Sequence, residues 1–201
     1  MVSGRRAPDL ERCLGHVPRL GFAPEHGARW RLPGSYTWRG RSADAEWKDT
    51  VRPILQHFVD RTPGSFIEEK EFALVWHFRT IEAEFGDWLA TELVAMLEAM
   101  LAETELRAYR GSKIVEVKPM WANKGALVNE LLPGYADDAF ILGIGDDRTD
   151  EDLFARLPEK AWSVHVGGGP SRATYSLPDT HHVRQLLQQL THQPFSPSSM
   201  M

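Results

Sequence analysis

Cysteine is almost missing from this sequence: Cys13 is the only one in 201 residues. That excludes an internal disulfide and fits a reducing, cytoplasmic setting. Long hydrophobic runs are missing too. No stretch approaches the roughly 20 apolar residues of a membrane-spanning helix, and the first residues do not read as a signal peptide. There is no surplus of positive charge. Lys and Arg number 23 against 28 Asp and Glu, a net charge of −5, so neither nucleic acid nor an anionic membrane finds an electrostatic footprint. No internal repeat is present. What is there, 42% hydrophobic and 25% charged residues, suits a globular chain long enough for one sizeable domain or a core with an inserted lobe.

A short helix around 9–14 precedes a Gly/Pro-punctuated segment. The spacing of Trp47, Val51, Ile54, Leu55 and Phe58 predicts a helix over 44–59, which Pro53 should bend or interrupt. After the turn signal RTPGS at 61–65 come strand-like runs at 65–67 and 72–78. Asp87 is placed to cap a long helix with Leu89, Leu93, Leu97 and Leu101 on its apolar face. Residues 112–118 alternate as a strand, and NKGALVNELLPG (123–134) reads as a helix closed by Pro133 and Gly134. Strand 139–144, helix 149–157, strand 163–166 and helix 180–190 complete the pattern, and the polar tail 191–201 is expected to be disordered. The closing strand–helix alternation argues for a parallel sheet covered by helices, with the middle as a separate α+β lobe.

Ligands of such sheets collect at the carboxyl ends of the strands, and there the sequence places FILGIGDDRTDEDLF (140–154). Thr149 with Asp152 three residues on forms a capping box, and acids in a first turn suit the helix dipole. That leaves Asp146 and Asp147, adjacent carboxylates before the cap. Either a solvated acidic loop or a hard divalent cation, Mg²⁺ in particular, relieves their repulsion. Lys124, at the start of the 123–134 helix, is either a surface lysine or a point charge for a phosphate. A basic and an acidic strand-end loop together suit a phosphate with a metal.

Five motifs occur in one order: SGR (3–5), EHG (25–27), TPGSFIEEKEFALVWHFR (62–79), VEVKP…NKG (115–125) and GIGDDRTDEDLF (143–154). Together they resemble the trehalose-6-phosphate phosphatases of the haloacid-dehalogenase (HAD) superfamily, or the phosphatase-like C-terminal domain of a trehalose-phosphate synthase. The resemblance implies an α/β, HAD-like doubly wound parallel-sheet core with an inserted α+β cap lobe. The parts would be a partial core at 1–33, the cap lobe at 34–117, the core with the Lys and GDD motifs at 118–190, and the tail. It also implies Mg²⁺-dependent hydrolysis of trehalose 6-phosphate or a related sugar phosphate through an aspartyl-phosphate. Ser3 matches the hydroxyl that holds a phosphoryl oxygen and Lys124 the lysine that neutralises charge. Asp146 matches the metal ligand, with Asp147 and Asp150 beside it. Glu68, Lys70 and Glu116, with Glu25 and His26 from the EHG turn, match positions suited to sugar hydroxyls. His77 reads as structural.

The family's nucleophile and general acid form an aspartate pair, DxDGT, ahead of SGR. No stretch of these 201 residues supplies it. The expectation is therefore a core without its N-terminal strands and a chain inactive by itself. The favoured reading is a fragment of a complete phosphatase. The others are a remnant completed by a chain that supplies the missing strands, and a non-catalytic sugar-phosphate-binding or regulatory domain attached to a trehalose-phosphate synthase.

Overall fold

In VEVKP (115–119) the apolar residues fall at every second position, and a strand sends alternate side chains to opposite faces. The computed structural model, which describes residues 1–42 and 44–192, follows that period. The chain forms two compact units, 1–123 and from 124 onward. The first unit holds α1 (Ala7–Leu14), a ribbon of β1 (Arg29–Trp30) and β2 (Arg39–Gly40), α2 (Glu46–Arg61), β3 (Phe66–Glu69), β4 (Leu74–His77), α3 (Ala83–Leu101), β5 (Leu106–Gly111) and β6 (Ile114–Pro119). Strands β3–β4–β6–β5 make one antiparallel sheet.

Val115 and Val117 of β6 point to the core with Leu74 and Trp76 of β4, and Leu55 and Phe58 of α2 and Leu93 and Leu97 of α3 join the same cluster. Glu116 and Lys118, the intervening residues, take the other face. Register carries that face across the sheet, since Glu68 pairs with Val75, Val75 with Glu116, and Glu116 with Tyr109. One alternation thus builds a hydrophobic core on one side and brings Glu68 and Glu116 to the other.

The second unit contains α4 (Lys124–Leu131), β7 (Leu142–Gly145), α5 (Arg148–Phe154), β8 (Trp162–Val166), β9 (Tyr175–Leu177) and α6 (Thr180–His192). Its strands are parallel, in the order β7–β8–β9. This is the α/β pattern expected from the closing third of the sequence.

Several local expectations are corrected. Helix α2 runs through Pro53 unbroken, its buried Val51, Leu55 and Phe58 outweighing the lost backbone donor. Glu82, not Asp87, caps α3: its carboxylate accepts the N–H groups of Glu84 and Phe85, while Asp87 lies inside the helix and pairs with Lys113. Asp147 and Asp150, not Thr149 and Asp152, form the capping box of α5. Four strands went unread: the two-residue β1 and β2, and β5 and β9. β5 and β9 lie at sheet edges, and β9 and the end of β5 are exposed, which weakens the apolar pattern that marks a strand. In the tail, 191–192 continue α6, and 193–201 lie outside the described residues. Among the described residues no helix is long and apolar enough to cross a membrane.

Candidate functional site

Each unit carries a cluster of buried charged groups. In the first unit, three loops and a strand converge. The SGR loop and the EHG turn are laced by backbone bonds: Ser3 N–H to the Ala23 carbonyl at 3.0 Å, Glu25 N–H to that of Arg5 at 3.0 Å, and His26 N–H to that of Ser3 at 2.9 Å. Ser3 Oγ accepts the Arg5 N–H at 3.2 Å. The lacing holds Glu25 and His26 at φ +46° and +61°. Left-handed conformations in non-glycine residues cost on the order of 1–3 kcal/mol each, a strain that collects at functional sites.

That backbone aims the two side chains. His26 Nε2–H donates to Glu116 Oε2 at 3.1 Å, and its ring lies so close to Gly4 that a Cβ there would stand 2.8 Å from Nε2. Lys70 Nζ donates to Glu116 Oε1 at 2.9 Å and to the Gly4 carbonyl at 3.0 Å. Glu116 is 5% exposed. Burial opposes its ionised form, but the hydrogen bond from His26 and the charge of Lys70 hold its carboxyl well below the usual carboxylate range. His26 Nδ1 is buried without a hydrogen-bond partner among the described residues. Glu25 behaves otherwise: both its oxygens accept backbone N–H groups, of Glu71 at 3.2 Å and Phe72 at 2.7 Å. Burial pushes its carboxyl up. Both oxygens of Glu25 thus hold the 71–72 backbone.

Glu68 sits on the same sheet face, its Oε2 accepting from His77 Nε2 at 2.9 Å and its Oε1 lying 3.6 Å from Arg6. His77, read from sequence as merely structural, thus orients a candidate site residue. Lys48 was missed altogether. It falls in line with Val51, Leu55 and Phe58 on α2 and is 4% exposed. The signal was a lysine on the apolar stripe of a helix, where a buried cation requires partners.

In the second unit, Lys124 opens α4. Its Nζ donates to Asp150 Oδ1 at 2.8 Å and reaches Asp147 Oδ1 at 3.4 Å. Asp150 Oδ2 accepts the N–H groups of Asp146 and Asp147 at 3.0 and 3.1 Å. This inward fold of Asp150 needs Gly145, since a Cβ there would lie 2.1 Å from Asp150 Cγ. Asp147 Oδ1 in turn accepts from the N–H and hydroxyl of Thr149 and the N–H of Asp150. Burial works against ionised Asp147, yet the Thr149 hydroxyl and the Lys124 charge bring it down to about 2. Burial pushes Asp150 up.

The three acids are thereby sorted. Asp147 caps, Asp150 holds Lys124 and the loop, and Asp146 is exposed beyond the carboxyl end of β7. Among the described residues no three His, Cys, Asp or Glu side chains gather into a ready-made metal cluster. The donors nonetheless fit Mg²⁺, which is ordinarily held by one or two carboxylates, waters and the phosphate of a substrate. Asp146 offers the exposed hard oxygens.

Asp147→Asn tests this sorting. A carboxyl depressed from 3.8 to about 2 contributes stability that is present above its ordinary value and lost as pH falls through the folded one. Asparagine caps nearly as well as aspartate but carries no charge for Lys124, so the variant is expected to be less stable than wild type at neutral pH and to converge with it in acid. It should lose less stability between about pH 4 and pH 2, read from acid unfolding followed by circular dichroism.

A family model described as trehalose-phosphatase matches residues 1–181. The chain belongs to the trehalose-phosphatase family. Its relatives include a UDP-forming α,α-trehalose-phosphate synthase B of Dictyostelium discoideum, 44% identical over 87% of this chain and 22% of that protein. Others are a bifunctional trehalose-6-phosphate synthase/phosphatase of Thermoproteus tenax, 36% identical over 94% and 26%, and a trehalose-phosphatase of Schizosaccharomyces pombe, 36% identical over 94% and 25%. The chain thus spans about a quarter of the length of the curated relatives it matches. Among solved structures, trehalose-6-phosphate phosphatase of Aspergillus fumigatus is 36% identical with TM-score 0.65, covering 94% of this chain and 75% of that one. The C-terminal domain of the C. albicans enzyme is 28% identical with TM-score 0.84, covering 96% and 78%. A haloacid-dehalogenase-like hydrolase of Bacteroides thetaiotaomicron, 12% identical with TM-score 0.68, shares the fold. The chain is a HAD-like α/β protein of the family that serves trehalose biosynthesis.

Proposed function

We propose that this trehalose-phosphatase family member binds trehalose 6-phosphate with Mg²⁺ and supplies the recognition and charge-neutralising parts of its hydrolysis, in the cytoplasm. The observation that carries the reading is the buried Lys70–Glu116–His26 cluster tied to the carbonyl of Gly4. Such a cluster is an expensive way to stabilise a fold, and replacing buried ion pairs by apolar residues is often neutral or stabilising. Its donors and acceptors suit hydroxyl-rich ligands.

The residues divide the work. Glu68, Lys70 and Glu116 exchange hydrogen bonds with the sugar, and the lobe 34–117 that carries them sets specificity. The Ser3 hydroxyl donates to a phosphoryl oxygen. Lys124, held by Asp150, neutralises phosphoryl charge as it redistributes. Asp146 would hold Mg²⁺, which supplies further neutralisation of the phosphoryl oxygens when bound. The complete reaction passes the phosphoryl group to an aspartate and then to water, and the sequence contributes no DxDGT pair for that step. A trehalose-phosphate synthase domain, or a chain bringing further core strands, is the partner we propose.

Calorimetric titration with trehalose 6-phosphate tests the metal assignment. Affinity is expected to rise with Mg²⁺, and Asp146→Asn is expected to abolish that rise while keeping the metal-independent part. An equal Mg²⁺ effect in Asp146→Asn would refute the assignment.

A further inference from the structure

The hairpin loop that carries Lys70 is held from both sides by charge. Lys48 Nζ donates to the carbonyls of Lys70 at 2.6 Å and Glu71 at 2.9 Å. Glu25 accepts the N–H groups of Glu71 and Phe72. These are the two ends of the same two peptide units. The carbonyl of Lys70 and the N–H of Glu71 belong to one peptide group, the carbonyl of Glu71 and the N–H of Phe72 to the next. Each lies between a buried ammonium and a buried carboxylate, 4% and 5% exposed. In such a chain each hydrogen bond polarises the next. The loop is closed by the Lys70 N–H on the Ala73 carbonyl at 2.9 Å. Glu69, just before it, lies 3.4 Å from Lys48 and 2.8 Å from Arg52. The one long side chain leaving this loop toward the cluster is Lys70, which meets Glu116 and Gly4.

We propose that Lys48 and Glu25 are paired positioning residues, a clamp that fixes the 70–72 backbone and so aims Lys70 at the sugar. The proposal rests on the sugar-binding role given to Lys70 above. It reassigns Glu25 from sugar contact to backbone support and gives Lys48 a task on the opposite side of the loop. Ligand-contacting side chains need supporting groups that lock them in place, and a shift of about 1 Å at such a group can cost about 100-fold.

The test uses the full 201-residue chain with two readouts. The first needs no ligand. Lys48 Nζ donates to the two carbonyls and to Glu69 Oε1, and an ammonium cannot accept from an amide, so in Lys48→Met a clamp predicts shifted resonances and faster solvent exchange for the Glu71 and Phe72 amides, although their acceptor Glu25 is intact. Unmoved ¹H–¹⁵N signals and unchanged exchange overturn the proposal. The second readout is calorimetric titration with trehalose 6-phosphate and, separately, with inorganic phosphate, both with Mg²⁺. Lys48→Met and Glu25→Gln are each expected to weaken sugar-phosphate binding by about 10- to 100-fold and leave phosphate binding within about twofold. Lys48→Arg, which keeps a cation within reach of the same carbonyls, should recover most of the loss.

Lys70→Ala separates the layers. If it binds trehalose 6-phosphate like wild type, the sugar role of Lys70 is wrong, and the amide readout alone decides the clamp. If it binds weakly while Lys48→Met and Glu25→Gln bind normally, the clamp is wrong and the sugar role stands. Should Lys48→Met fail to fold, Glu25→Gln carries both readouts, with the carbonyl ¹³C shifts of Lys70 and Glu71 replacing the amides.

Discussion

Asp150→Ala is expected to destabilise the second unit by about 3–5 kcal/mol, the range for removing one partner of a buried ion pair. Asp150 is 6% exposed and satisfies four groups. Its Oδ1 takes the ammonium of Lys124, and its Oδ2 takes the N–H groups of Asp146 and Asp147. Its own N–H completes the cap on Asp147. Alanine would strand Lys124, itself 6% exposed, without its nearer partner and leave two loop amides unpaired, each with a desolvation penalty of about 1–3 kcal/mol. The urea midpoint at neutral pH should fall with little change in slope, and the Asp146 and Asp147 amides should exchange faster with solvent. A stability within about 1 kcal/mol of wild type, well short of the buried-pair range, would show that the loop stands without its inward carboxylate.

Glu116→Ala is expected to have a comparable effect in the first unit, again about 3–5 kcal/mol, together with loss of sugar-phosphate binding. Both oxygens of Glu116 are engaged, by His26 and by Lys70, whose side chain is only 10% exposed. Without the carboxylate, Lys70 keeps a single carbonyl partner at Gly4 and its charge is uncompensated. Glu116→Gln separates charge from shape: it should fold more nearly like wild type and still bind poorly, because Lys70 then faces a dipole. The acid limb carries a further sign. A carboxyl held below its ordinary value of 4.5 contributes stability that is present above that value and lost as pH falls toward the folded one. Glu116→Gln should therefore flatten the stability loss below about pH 4.5. An acid profile unchanged in Glu116→Gln would contradict the pairing.

Much of this was legible because patterns with a physical period survive in any sequence. The alternation VEVK gave β6 and put Glu116 on the face away from the core, and the closing alternation of strands and helices gave the parallel sheet. The acids at 146–152 announced a strand end followed by a capped helix, but not which acid did what. Thr149 and Asp147 are both competent caps two residues apart, and only the inward fold of Asp150 over Gly145 decides between them. The same ambiguity moved the start of α3 from Asp87 to Glu82. Edge strand β5 was illegible because Arg107 and Arg110 break the apolar pattern. The roles of Lys48 and Glu25 were hidden differently. Their partners are backbone groups far away in sequence, and nothing in a residue type announces a bond to a peptide. The left-handed φ of Glu25 and His26 is likewise invisible where only Gly27 hints at an unusual turn.

The most direct test of the central claim is one calorimetric comparison on the full chain with Mg²⁺: trehalose 6-phosphate, trehalose and inorganic phosphate against wild type and Lys70→Ala. Trehalose 6-phosphate is expected to bind wild type more tightly than either half, and Lys70→Ala to weaken both sugar-containing ligands and leave phosphate unchanged. A folded wild-type chain that binds trehalose 6-phosphate no better than phosphate would contradict the claim.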